Sequence, residues 1–90
     1  MTNWETGRPA DVPLKMIESA RSADDVAEIV HLMHADLSAN PTAWENPTLD
    51  RFLDALGGYL RDAGEERYAD VPAAAWAALA DILYAASLYE

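Results

Sequence analysis

Apolar residues recur at helical spacing along most of the chain. One stripe follows the i, i+3, i+4, i+7 order and consists of Val26, Ile29, Val30, Met33 and Leu37. A second stripe consists of Leu49, Phe52, Leu53, Leu56 and Leu60. Each stripe would cover one face of an amphipathic helix. Because no segment alternates apolar and polar residues as a strand would, the pattern predicts an all-α fold.

The last nineteen residues form the most apolar segment, PAAAWAALADILYAASLYE. Alanine and leucine favour helices, and Pro72 suits a first helical turn. A helix that is apolar on almost every side is normally buried. The segment therefore predicts a central C-terminal helix around which the other helices pack, with Trp76 in the core. An apolar tail of this kind is expected to be docked.

Capping residues predict where the other helices begin and end. Ser22 is a good N-cap for the helix that carries the first stripe, and Asn40-Pro41 would end that helix. Asn46 and Pro47 are expected to start the next helix. Gly64 is expected to stop it.

A short helix is also expected from Pro13 to about Ala20, ahead of the three main helices. The breaks at Gly7, Pro9 and Pro13 predict an irregular N-terminal lead. The predicted organisation is thus a lead over residues 1–12 and a single helical domain over residues 13–90.

Charge is strongly biased, with 16 acidic residues against 6 basic ones and a formal net charge of −10. Nucleic acid and anionic membranes need clustered Lys and Arg, so neither is expected as a partner. A basic protein surface would be attracted. The acidic excess serves solubility as well, and this alternative stays open.

The sequence has no cysteine, which excludes disulfides and thiolate chemistry and fits a reducing compartment. No basic region followed by an apolar one opens the chain, so no signal peptide is expected. The predicted location is the cytoplasm.

Candidate chemistry is sparse. His31 and His34 form an H-x-x-H pair, and Asp50 and Asp54 lie one helical turn apart. Both pairs are more simply interpreted as the polar faces of amphipathic helices. Since no phosphate loop and no catalytic triad motif occurs, we expect no enzyme activity, no cofactor and no metal.

Two blocks of the sequence resemble a family of small uncharacterised bacterial proteins common in actinomycetes. The first is TAWENPTLDRFLDAL, residues 42–56, with the pattern W-E-N-x-x-L-x-x-F-L. The second is the alanine-rich end, residues 76–90, which closes in Tyr-Glu. Residues 14–26 resemble the family's lead-in. The resemblance implies no activity, and no functional residues are transferred from it.

These observations predict an acidic interaction module that binds a basic protein surface, in an immunity-like or regulatory role. The aromatic anchors would be Tyr59 and Tyr68, which lie near an acidic loop. The carboxylates expected to bind the partner are Glu28, Asp50, Asp54, Glu65 and Glu66. The alternative is a small-molecule or metal-binding domain that uses a pocket between the last two helices.

The final helix is also predicted to pair with a second copy of the chain. Two neighbouring helices cannot cover all its apolar sides, and exposed apolar patches usually mark interfaces. A symmetric homodimer through this helix would cover them. Alternatively, the N-terminal lead covers them within one chain.

Overall fold

A computed structural model of the protein describes residues 8–89. Helices make up 71% of it and no strand occurs in this part, so the protein is a small all-α domain, as the periodicity predicts. The elements in chain order are α1 (Leu14–Glu18), α2 (Ala23–Ala39), a short 3-10 helix (Pro41–Ala43), α3 (Leu49–Arg67) and α4 (Ala73–Ala86). No helix in the described part is both long and apolar enough to cross a membrane.

The contacts of the chain divide it into two compact units, Met1–Ala55 and Leu56–Glu90. The first unit contains α1, α2, the 3-10 helix and the start of α3. The second contains the rest of α3 and α4. Residues 8–12 of the predicted irregular lead form neither helix nor strand, and Trp4 lies outside the described residues.

The start of α2 follows the sequence signal closely. Ser22 is its N-cap, in extended conformation, and its Oγ accepts a hydrogen bond from the Asp25 amide at 3.1 Å. The Asp25 carboxylate in turn accepts from the Arg21 amide at 2.8 Å. These bonds satisfy amide groups that have no partner within the helix, and the carboxylates of the first turn oppose the positive helix terminus.

The bounds of α3 differ from the prediction at both ends. The helix begins at Leu49 rather than at Asn46 and Pro47, and Thr48 Oγ1 accepts from the Arg51 amide at 3.2 Å at this end. At the other end the helix runs through Gly64 to Arg67. The prediction that Gly64 stops the helix is wrong, because the backbone bond from the Tyr68 amide to the Gly64 carbonyl continues the helical pattern.

The C-terminal helix α4 does not form a buried centre. None of its residues is buried, Trp76 is half-buried, and Leu88 and Tyr89 beyond its end are 68% and 89% exposed. The predictions of a buried central helix, a core Trp76 and a docked tail are therefore not met within the single chain. The apolar side chains Ile82, Leu83 and Tyr84 of α4 are thus exposed.

A buried carboxylate organises the first unit. Asp36, near the C-terminus of α2, is one of two buried residues in the described part; the other is Ala43 of the 3-10 helix. Asp36 Oδ1 accepts from Arg8 Nη2 at 2.7 Å and from Asn40 Nδ2 at 3.0 Å. Its Oδ2 accepts from Trp44 Nε1 at 2.9 Å and from the Asp11 amide at 3.3 Å.

These four donors come from three different segments of the chain. The lead supplies Arg8 and the Asp11 amide, the end of α2 supplies Asn40, and the linker after the 3-10 helix supplies Trp44. The Arg8 amide also donates to the Ala43 carbonyl at 3.3 Å. A carboxylate that accepts this many bonds can be buried without an unsatisfied oxygen, and it fixes the segments to one another.

The same contacts shift two pKa values. The hydrogen bond from Arg8, followed by those from Trp44 and Asn40, holds the pKa of Asp36 well below its usual range against the opposing effect of burial. The pKa of Arg8 is raised, chiefly by its hydrogen bond with Asp36. Asp36 is harder to protonate in the folded chain than in the unfolded chain. Its negative charge therefore stabilises the fold at pH values above the ordinary carboxyl pKa.

We expect Asp36→Asn to lower the melting temperature clearly at neutral pH, since it removes the ion pair and leaves one of the donors facing an amide nitrogen. The stabilising effect of the wild-type carboxylate is lost as the pH falls towards the depressed folded pKa. The difference in melting temperature between wild type and variant should therefore decrease as the pH is lowered from about 5 towards about 2. Thermal unfolding followed by circular dichroism measures both effects.

The matched control is Glu28→Gln, which removes one exposed carboxylate from the same helix. It should change the melting temperature little, because exposed charges contribute little to stability. This role of Asp36 would be contradicted if Asp36→Asn lowered the melting temperature no more than the control does. It would also be contradicted if the difference from wild type did not change with pH.

Candidate functional site

The residues predicted to bind a partner fall into two groups. Glu28 on α2 and Asp50 and Asp54 on α3 belong to the first unit, where all three are exposed. Asp50 and Asp54 lie one turn apart on α3, whereas Glu28 lies on another helix. No described hydrogen bond or ring contact joins these three carboxylates into one site.

The second group lies in the second unit and consists of Tyr59, Glu65, Glu66 and Tyr68. Here the structure brings together two of the predicted anchors. The Oη atoms of Tyr59 and Tyr68 lie 2.8 Å apart in a hydrogen bond, and the two rings meet edge to face, with centroids 6.2 Å apart.

Trp76 extends this pair into an aromatic cluster. Its ring lies 6.1 Å from that of Tyr68, at 86° to it. Sequence reasoning placed Trp76 in the core and missed this position. The local fold explains it: α3 ends just before Tyr68, a turn closes from the Val71 amide to the Tyr68 carbonyl at 3.0 Å, and α4 then places Trp76 in its first turn.

A cavity of about 490 Å³ opens beside the cluster. We call it the aromatic notch, and it is lined by Leu60, Gly64, Glu65, Tyr68, Ala69, Val71 and Trp76. Its position agrees with the pocket expected between the last two helices. Gly64 leaves open space, since an added Cβ there would meet nothing within 4 Å. Glu66, also exposed, is not among the lining residues.

The electrostatics of the cluster distinguish its two tyrosines. The hydrogen bond with Tyr59 lowers the pKa of Tyr68, and Arg67 lowers it further, against the effect of burial. The pKa of Tyr59 is raised, chiefly by the same hydrogen bond and by burial. Either hydroxyl can be the donor of this bond, and a Tyr68 phenolate would accept it from Tyr59. The pKa of Arg67 is raised, chiefly by the neighbouring Tyr68 hydroxyl, and its guanidinium carbon lies 5.9 Å from the centre of the Tyr68 ring.

A second cavity, of about 520 Å³, lies in the first unit. Its lining residues are Pro41, Thr42, Trp44, Glu45, Pro47 and Arg51. The indole N–H of Trp44 already donates to Asp36, and the lining charges are one carboxylate and one guanidinium. The aromatic notch is the better candidate site, because its lining combines aromatic rings with a single sign of charge.

The H-x-x-H pair lies on the exposed surface of α2. His31 and His34 are both exposed on α2, and residues 8–89 contain no group of three or more His, Asp or Glu side chains that could hold a metal ion. The two histidines share only a helical spacing.

The fold and the notch together define a small acidic all-α protein with an exposed aromatic site. Residues 22–90 match the model of the family of unknown function DUF7660, so the chain belongs to that family. The matched region contains the whole aromatic notch, together with Asp36, Asn40 and Trp44, but not Arg8 and Asp11. No curated protein and no solved structure matches the chain.

Removing the Tyr59 hydroxyl should raise the pKa of Tyr68. In the wild type the hydrogen bond from Tyr59 stabilises the Tyr68 phenolate, so Tyr59→Phe should move the pKa of Tyr68 upward while Arg67 still lowers it. An alkaline titration of the tyrosine ring Cζ signals by NMR measures this change. Tyr84→Phe, which removes an exposed hydroxyl outside the cluster, is the control and should leave Tyr68 unchanged. A Tyr68 pKa that stays the same or falls in Tyr59→Phe would show that the hydroxyl bond is absent or does not stabilise the Tyr68 phenolate.

Proposed function

We propose that the protein is an interaction module that binds a basic surface of a partner protein through the aromatic notch and the carboxylates beside it. The observation that supports this most strongly is the lack of internal partners for these carboxylates. Within the part of the chain that is described, Arg8 and Asp36 form the one ion pair. Glu65 and Glu66 therefore remain available to cations from outside the chain.

The aromatic residues give this acidic edge a place for specific contact. Tyrosine and tryptophan are enriched at the energetic centres of interfaces, and Tyr59 is 47% exposed. The hydrogen bond between the two tyrosines holds Tyr68 in place before a partner arrives, which lowers the entropic cost of binding. Acidic groups around such a centre would increase the rate of encounter with a basic surface.

Neutralisation of a basic protein, as by an immunity protein, or its regulation is the concrete form of this proposal. The strong acidic excess supports it, because a net charge of −10 attracts a basic partner at a distance. The proposed compartment is the cytoplasm, since a chain without cysteine does not depend on oxidising conditions. A bacterial origin rests on the resemblance of the W-E-N block and the alanine-rich end.

A small organic ligand in the aromatic notch is the second candidate. The cavity volume of about 490 Å³ lies within the range of about 300–1,000 Å³ typical of ligand sites. Its lining of apolar and aromatic side chains with few polar groups is also typical of such sites. A ligand of this kind would make the chain a binding domain for a metabolite.

We further propose that α4 pairs with α4 of a second copy. Its apolar residues Ile82, Leu83 and Tyr84 are exposed, and Asp81 is its one charged residue. A surface with so little charge offers a basic partner nothing to pair with. It fits another apolar helix, which a second copy supplies in a self-complementary arrangement.

The proposed function is tested by replacing the carboxylates of the site. Glu65→Gln with Glu66→Gln should abolish capture of a basic protein from native lysate, whereas the wild type retains a stoichiometric amount of it. The captured protein is identified by mass spectrometry. Raising the ionic strength should weaken its retention, because salt screens exposed charges.

The matched control is Glu18→Gln with Glu45→Gln, which removes two exposed charges elsewhere and should leave capture unchanged. Equal capture by both double variants would contradict the proposal. A small molecule that co-purifies with the wild type, without any protein, would support the second candidate instead.

A further inference from the structure

We infer that the aromatic notch is a site for an alkylammonium group, which the basic partner would supply as a lysine side chain. That the lysine belongs to a basic partner protein rests on the proposed function. The preference of the notch for an ammonium cation follows from its own lining.

Two aromatic rings of the notch lie nearly at right angles to each other. Tyr68 and Trp76 both line the cavity, and their planes meet at 86°. A cation within about 6 Å of an aromatic ring centre is attracted by the negative face of the ring, most strongly by Trp. A compact ammonium can contact two rings at right angles, whereas a planar guanidinium stacks best on one face at a time.

The Tyr68 ring already has a cationic neighbour. The guanidinium carbon of Arg67 lies 5.9 Å from its centre, within the range of a cation–π contact. Arg67 is not among the residues that line the cavity, and no Lys or Arg is. The residues that line the notch therefore include aromatic rings but no cation, while Arg67, which is not one of them, lies beside the Tyr68 ring.

The remaining lining residues suit the rest of a lysine side chain. Glu65 is the one charged residue of the cavity wall and would pair with the ammonium. Leu60 and Val71 provide apolar surface for the four methylene groups behind it. Desolvation of the methylene stem would add to the attraction of the charged head.

The inference is tested with n-butylammonium, which reproduces the lysine side chain, and with n-butanol, its neutral counterpart. Both are titrated into the full chain while the Trp76 indole and Tyr68 ring signals are followed by NMR. We expect saturable shifts with n-butylammonium, with a dissociation constant on the order of millimolar or weaker for so small a ligand. n-Butanol should bind about two- to fivefold more weakly, as expected for an exposed cation–π site.

Sodium chloride at matched concentration is the control for ionic strength. Glu65→Gln should weaken n-butylammonium binding and leave n-butanol binding unchanged, whereas Glu28→Gln should change neither. Equal affinity for the two ligands, or no saturable shift at Trp76, would overturn the inference.

The titration and the capture experiment can fail independently of each other. Selective binding of n-butylammonium without a basic partner in the capture experiment would keep the ammonium site and contradict the proposed function. Capture of a basic partner by a chain whose notch does not prefer n-butylammonium would support the proposed function and contradict the ammonium site.

Discussion

The structure is constrained above all by how little apolar surface it buries. Although 51% of the residues are hydrophobic, Ala43 is the one buried apolar residue between residues 8 and 89. Burial of side chains normally supplies most of the stability of a small domain. Each unit therefore relies more than usual on directional contacts, and large apolar groups such as Leu14, Leu49 and Ile82 remain exposed.

Directional contacts take a different form in each unit. In the first unit the Asp36 carboxylate joins the lead, α2 and the Trp44 linker through four hydrogen bonds. In the second unit the hydroxyl bond between Tyr59 and Tyr68 and the edge-to-face contact with Trp76 hold the aromatic cluster. The first arrangement satisfies its charge internally. The second leaves Glu65 without a cation, and this difference is why the notch rather than Asp36 is the candidate site.

Helical periodicity and capping predicted the all-α fold, and the Ser22 cap of α2 was predicted at the observed position. Long-range polar contacts were beyond this reasoning, since Arg8 and Asp36 are 28 residues apart and nothing local pairs them. The sequence did contain one indication that Asp36 is buried. Asp36 lies seven residues after Ile29 and so on nearly the same side of α2 as the apolar stripe. Tyr59 and Tyr68 were predicted as anchors, but Trp76 was assigned to a core because apolar composition alone does not show which surface covers a helix.

The shortage of buried apolar surface bears most directly on the proposal that the exposed apolar surface of α4 is an interface between two copies of the chain. Sedimentation equilibrium at low and high salt tests it most directly. Two copies with a net charge of −10 repel each other, and added salt screens this repulsion while the apolar contact persists. We predict a homodimer that is tighter at high salt than at low salt. A monomer at both salt concentrations, at high protein concentration, would contradict the account.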